Sequence, residues 1–87
     1  METNYSEKAV KQLKKIYKGD KKSAEMIINA LEGYAKNPSG SFDIKILKGR
    51  YGDFKRLRVG SYRVIFEDTE ERVSIYEIKH RQEVYSD

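Results

Sequence analysis

The run His80-Arg81-Gln82-Glu83-Val84-Tyr85 brings an imidazole, a guanidinium and a phenol together near the end of this chain. Imidazole and phenol can move protons, and guanidinium offers phosphate a planar pair of hydrogen bonds. A second cluster lies upstream, where Lys45, Lys48, Arg50, Lys55, Arg56, Arg58 and Arg63 face a single acid, Asp53. The chain has one His and no Cys, which excludes a multi-His or Cys/His metal site within one chain. No serine stands in a strained strand–helix turn that would make a nucleophile with His80. There is no P-loop and no dinucleotide fingerprint. What remains is phosphate chemistry without a metal or cofactor. RNA suits it, because the 2′-hydroxyl is a built-in nucleophile. Cleavage then needs a base, an acid for the leaving 5′-oxygen, and positive charge on the developing phosphorane.

The elements that must position these groups follow from periodicity. Ser6 is an N-cap for a helix to about Lys18, with Val10, Leu13, Ile16 and Tyr17 on one stripe. Gly19 ends it, and Asp20 caps a second helix from Lys21 to Ala35 with Ala24, Ile27, Ile28, Leu31 and Tyr34 as its apolar face. Asn37-Pro38-Ser39-Gly40 stops that helix, and the short link makes an αα-hairpin. Strands are expected over Phe54–Val59, Tyr62–Glu67 and Val73–Ile78, with a short extra strand near Thr3–Tyr5. Gly49 and Gly52 flank Arg50-Tyr51, which reads as a loop. The expected fold class is α+β: two N-terminal helices on one face of a small antiparallel sheet of three to four strands, (β)ααβββ, with the other face partly open.

Gly60-Ser61 fits a two-residue type II′ turn. Val59 then pairs with Tyr62, Arg58 with Arg63, Leu57 with Val64 and Arg56 with Ile65. Leu57, Val59, Tyr62, Val64 and Phe66 share the core face, and Arg56, Arg58 and Arg63 share the open one. Like charges across a ladder are destabilising, so such a cluster makes sense when an anion sits between them.

At 87 residues the chain is one domain, 1–87, with a thin core. Absence of cysteine and of any basic-then-apolar leader or apolar span leads us to expect a cytoplasmic protein with no membrane partner. Charged residues make up 37% and the net charge is +4. Seven lysines between Lys8 and Lys22, against Asp20 alone, give the first helices a basic face that suits a polyanion.

Two stretches together resemble the RelE/ParE toxin superfamily. One is Leu47-Lys48-Gly49 followed by Gly52 to Phe66, with its basic strand, Gly turn and Tyr62-Arg63. The other is Ile75 to Tyr85, with its His-Arg-x-x-Val-Tyr ending. The resemblance implies a microbial-RNase-like fold and ribosome-dependent, metal-independent mRNA cleavage in the A site. It also implies neutralisation by a cognate antitoxin protein. Carried over by position, Arg56, Arg58 and Arg63 resemble the phosphate-binding strand residues, and Arg81 the C-terminal phosphate-contacting arginine. Tyr85 resembles the terminal tyrosine, and His80 is the preferred acid/base. Lys48, Arg50 and Lys55, with Lys11, Lys14 and Lys15 on the first helix, would touch mRNA and ribosomal RNA. RelE itself has lysine where Arg56 and Arg58 stand, so neither position supplies a lysine base; some relatives use a glutamate, and Glu67 and Glu77 could reach the open face. The alternatives are a ParE-like DNA gyrase inhibitor, or a non-catalytic RNA- or ribosome-binding module using Tyr51, Phe54 and Tyr62 for stacking.

Overall fold

The computed structural model describes residues 1–49 and 52–83, with side chains described for 1–47 and 54–82. The elements are β1 (Glu2–Tyr5), α1 (Glu7–Gly19), α2 (Lys21–Lys36), β2 (Ile44–Gly49), β3 (Gly52–Val59), β4 (Tyr62–Asp68), β5 (Arg72–His80) and a 3₁₀ turn at Arg81–Glu83. The Ser6 hydroxyl accepts from Ala9 N–H, and Asp20 accepts from Ser23 N–H, so both expected N-caps form. Asp20 also closes α1, its N–H bonding to the Ile16 carbonyl, which leaves no room for a longer link between the helices.

The strands form one sheet in the order β1-β5-β4-β3-β2. The α+β class and the two-helix layer are as expected, but the sheet is larger: five strands, not three to four, and mixed, because β1 runs parallel to β5. β2 is the strand not expected, and it and the short expected strand β1 are both edges, where the burial pattern that marks a strand is weakest. β1 is held by non-local contacts: the N-terminal amine donates to the Ala35 carbonyl and Thr3 Oγ1 to Glu32. β2 keeps Ile46 more than half exposed, so it shows no one-sided apolar pattern. Gly49 pairs with Gly52, and Arg50 and Tyr51 between them lie outside the described residues.

The core sits between α2 and the sheet. Phe66, Ile27 and Leu31 are its largest wholly buried side chains, each contributing roughly 1.5–3 kcal/mol by burial. Tyr34 meets Phe66 edge to face at 5.1 Å. α1 contributes less than its stripe suggests. Ala9 is its one wholly buried residue, while Val10 and Tyr17 are exposed, beside a shallow apolar groove shared with Tyr5, Leu13, Ala24 and Ile28. The helix-side end of the sheet carries an ion pair in place of apolar packing. Tyr34 OH donates to Asp68 Oδ2 at 2.6 Å, and Lys55 Nζ sits 3.0 Å from Asp68 Oδ1.

β1 stops at Tyr5, opposite Ile75, so the edge of β5 beyond it needs other partners. α1 supplies them. Ser6 N–H bonds to the Ile75 carbonyl, Ser6 Oγ to that of Tyr76, and Gln12 Oε1 accepts from Ile78 N–H at 2.7 Å. Lys8 ion-pairs with Glu77, which also holds Lys79 at 2.9 Å. Burial of the Glu77 carboxyl favours its protonated form, but the hydrogen bonds from Lys8 and Lys79 outweigh this and its pKa falls below the ordinary value of 4.5.

No helix among the described residues is long and apolar enough to cross a membrane.

Gly60 adopts φ +57, and no described non-glycine residue has positive φ, so Ser61 does not. That is the type II′ pattern, with the left-handed residue first. Gly60→Ala is expected to destabilise the chain by about 1–2 kcal/mol, with Ser61→Ala near neutral, as read by urea denaturation. A depressed Glu77 pKa contributes stability that is present above pH 4.5 and lost as pH falls through the lower folded-state value. Glu77→Gln should therefore remove part of the acid-side slope in a stability-versus-pH series and leave the neutral-to-alkaline limb parallel to wild type.

Candidate nucleic-acid interface

The β3–β4 register is the one that the Gly60-Ser61 turn dictates: Val59 pairs with Tyr62, Arg58 with Arg63, Leu57 with Val64 and Arg56 with Ile65. Leu57, Val64 and Phe66 are buried on the helix side. Arg56, Arg58 and Arg63 therefore lie on the face the helices leave open. β5 extends the pattern, because Arg63 pairs with Lys79 on its other side. Arg58, Arg63 and Lys79 form one cross-strand row of three cations.

Lys79 was not singled out by sequence reasoning, and the reason lies in β5. Its buried residues are Val73, Ile75 and Ile78, a spacing that breaks strict alternation. The register shifts between Ile65, opposite Glu77, and Phe66, opposite Ile75. This β-bulge lets Ile75 and Ile78 both face the core and returns Lys79 to the open face. The 73, 75, 78 spacing was the available signal.

The neighbouring row holds Lys45, Arg56, Ile65 and Glu77. Arg56 is buried, with Nη2 3.2 Å from Asp43 Oδ1, and Asp43 is itself well exposed. Arg58 is exposed and Arg63 half-buried. Lys79 is tethered to Glu77, so the row carries one carboxylate close by on the same face. Further along, Phe54 and Tyr76 meet edge to face with centroids 5.3 Å apart. The Tyr76 hydroxyl donates to Glu67 Oε1 at 3.0 Å, and this bond raises the phenol's pKa above 10.0.

His80 is not brought to this face. It pairs with Tyr62, and the two rings meet edge to face at 5.1 Å. Both line a cleft of about 490 Å³ on the helix side, with Gln12, Lys15, Ile16 and Asp20 among its walls. The His80 Nδ1 accepts from Gln82 N–H at 3.2 Å, which leaves Nε2 to carry the proton of the neutral ring. Arg81 is exposed, and its N–H bonds to the Ser61 carbonyl at 2.7 Å, which pins the 3₁₀ turn to the β3–β4 turn. The expected set is thus split by the sheet: Arg56, Arg58 and Arg63 on one side, His80 on the other and Arg81 at the end between them.

The expected RNA-contacting lysines also divide. Lys55 shares the helix-side face with Leu57 and is engaged by Asp68 and Tyr34, so it is built into the structure and does not point out beside Arg56. Lys11 is exposed and pairs with Glu7, Lys14 rims the apolar groove between α1 and α2, and Lys15 rims the His80 cleft. Of the aromatics read as stacking candidates, Phe54 faces the cation side and Tyr62 does not. Tyr51, Arg50, Tyr85 and the side chain of Lys48 lie outside the described residues.

No curated protein sequence matches the chain. The fold is similar to the YoeB dimer from Staphylococcus aureus, at 19% identity and TM-score 0.78, covering 92% of this chain and 95% of that one. It is similar to the archaeal RelE–RelB complex from Pyrococcus horikoshii OT3, at 23% identity and TM-score 0.76, covering 95% and 97%. It is also similar to the RelB–RelE antitoxin–toxin complex from Methanococcus jannaschii, at 27% identity and TM-score 0.68, covering 94% of each chain. Residues 4–85 match the family described as the ParE toxin of the type II toxin–antitoxin system parDE, so nearly the whole chain carries the family pattern and the protein belongs to the ParE toxin family within the RelE/ParE superfamily.

Proposed function

We propose that this toxin is a metal-independent endoribonuclease that cuts mRNA in the ribosomal A site and is held in check by a cognate antitoxin. The observation that carries the reading is the Arg58–Arg63–Lys79 row. Neighbouring strands lie about 4.8 Å apart, so the row sets three cations within reach of one phosphate, Lys79 among them tethered to Glu77. A phosphate seated on the row takes directed hydrogen bonds from both guanidiniums.

In this scheme the 2′-oxygen loses its proton and attacks the adjacent phosphorus, the bond to the 5′-oxygen breaks, that oxygen takes a proton from solvent water, and a 2′,3′-cyclic phosphate and a 5′-hydroxyl result. Arg58 and Arg63 hold the non-bridging oxygens and stabilise the phosphorane. Lys79, beside Arg63, adds charge at the same point. Glu77, ionised at neutral pH and on the same face, is the candidate base for the 2′-hydroxyl. Arg81 extends the positive surface at the turn end. His80 opens to the other side of the sheet, and we assign it no proton transfer at this row. Lys11, Lys14 and Lys15 on α1 would meet ribosomal RNA by charge alone. The archaeal relatives were captured as RelB–RelE complexes, which supports an antitoxin partner for this chain.

The alternative reading, DNA gyrase inhibition, is tested directly by a supercoiling assay with purified gyrase. Primer extension on mRNA in a reconstituted translation reaction, beside naked RNA, separates the two. Discrete A-site cuts only with ribosomes present are expected, unchanged by chelator at concentrations that leave ribosomes assembled. Arg63→Ala should lower cutting by about 10²–10³ with little change in melting temperature. Absence of cuts from the folded wild-type protein would refute the nuclease reading.

A further inference from the structure

The open face carries a second feature that the cleavage chemistry does not use. Tyr76 is the residue that the β5 bulge adds between the core-facing Ile75 and Ile78. A regular strand would have no extra side chain at this point, and bulges commonly serve to re-aim one. Here the residue left out of the β4–β5 register is a large ring on the cationic face, 39% exposed. The ring is not free to swing. Its hydroxyl is held by Glu67, and Phe54 braces it edge to face. A tethered aromatic surface next to a row of cations matches what single-stranded nucleic acid requires, a flat face for a base and charge for the backbone.

We propose that Tyr76, braced by Phe54 and Glu67, is a stacking platform for one nucleobase of the RNA whose phosphate lies on the Arg58–Arg63–Lys79 row. The proposal rests on the nuclease reading above and deepens it. Phe54 lies four residues from Arg58 along β3, a span of roughly 13 Å. The stacked base therefore belongs to a nucleotide flanking the scissile one. Stacking tolerates any base, because each has a π-face. The platform thus selects for an unstacked single strand rather than for a sequence. Pre-ordering the ring through Glu67 lowers the entropy lost when the base lands.

The test measures cutting rates on ribosomes with a vacant A site, programmed with intact mRNA or with mRNA carrying one abasic nucleotide, stepped through the positions around the cut. Wild type is expected to slow by about ten- to hundredfold at one flanking position. Tyr76→Ala should be slowed by a similar factor on intact mRNA and should no longer respond to that abasic site. Arg63→Ala, slow on both substrates, should still respond. Tyr76→Phe keeps the ring and should retain most of the rate. Wild-type cutting that ignores every flanking abasic site overturns the platform, and this arm needs no variant to fold. So does a Tyr76→Ala protein that cuts like wild type or still responds to the same site. These outcomes leave the nuclease reading intact, whereas absence of wild-type cutting overturns both.

Discussion

A β-strand turns successive side chains to opposite faces, so a slip of one residue at the Gly60-Ser61 turn would exchange the contents of the two sides. Leu57 and Val59 would move to solvent and the arginines would be driven against α2. The chain holds its register at three points. Among the described residues, Gly60 alone adopts a left-handed backbone, the one the turn requires. Leu57, Val64 and Phe66 lock the core side by burial. The 3₁₀ turn after β5 then ties Arg81 to Ser61, so the end of the third strand of the row depends on the same turn. Everything proposed about phosphate binding follows from that register.

The sheet acts as a partition. On its helix side, charge is neutralised locally, as where Lys55 meets Asp68 and Tyr34. On its open side, basic residues are concentrated, and the acids stand at particular points: Asp43 against Arg56, Glu77 against Lys79, Glu67 against Tyr76. Each of these acids orients a side chain. Surface pairs of this kind contribute little stability, about 0–1 kcal/mol each. Their effect is to fix where rings and charges point. α1 completes the arrangement from the edge, since Gln12 and Lys8 secure the part of β5 that β1 does not reach.

Much of this was legible in the residues because it is local. The caps at Ser6 and Asp20, the turn at Gly60-Ser61 and the pairing of Arg58 with Arg63 each depend on a few adjacent positions. What escaped depends on distant partners. The parallel pairing of β1 with β5 joins segments far apart in the sequence, and β2 is an edge with an exposed Ile46. The bulge in β5 hid Lys79, because alternation counted from Val73 fails after Tyr76 and would turn Lys79 to the core. Proximity in sequence also misled. His80 and Arg81 are adjacent, yet His80 points into the cleft beside Gln12 and Lys15 while Arg81 lies exposed at the sheet end. His80 is the last residue of β5 and Arg81 the first of the 3₁₀ turn, so adjacency in sequence does not place them on one face.

The most direct test of the account is a nuclear magnetic resonance titration of the isotope-labelled protein with a short, uncleavable 2′-deoxy oligonucleotide. Shifts confined to the open face, centred on the Arg58 and Arg63 side chains and Lys79, are the predicted result. Shifts centred instead on Gln12, Lys15, Tyr62 and His80, with the arginine signals unmoved, would place the phosphate in the helix-side cleft and contradict it.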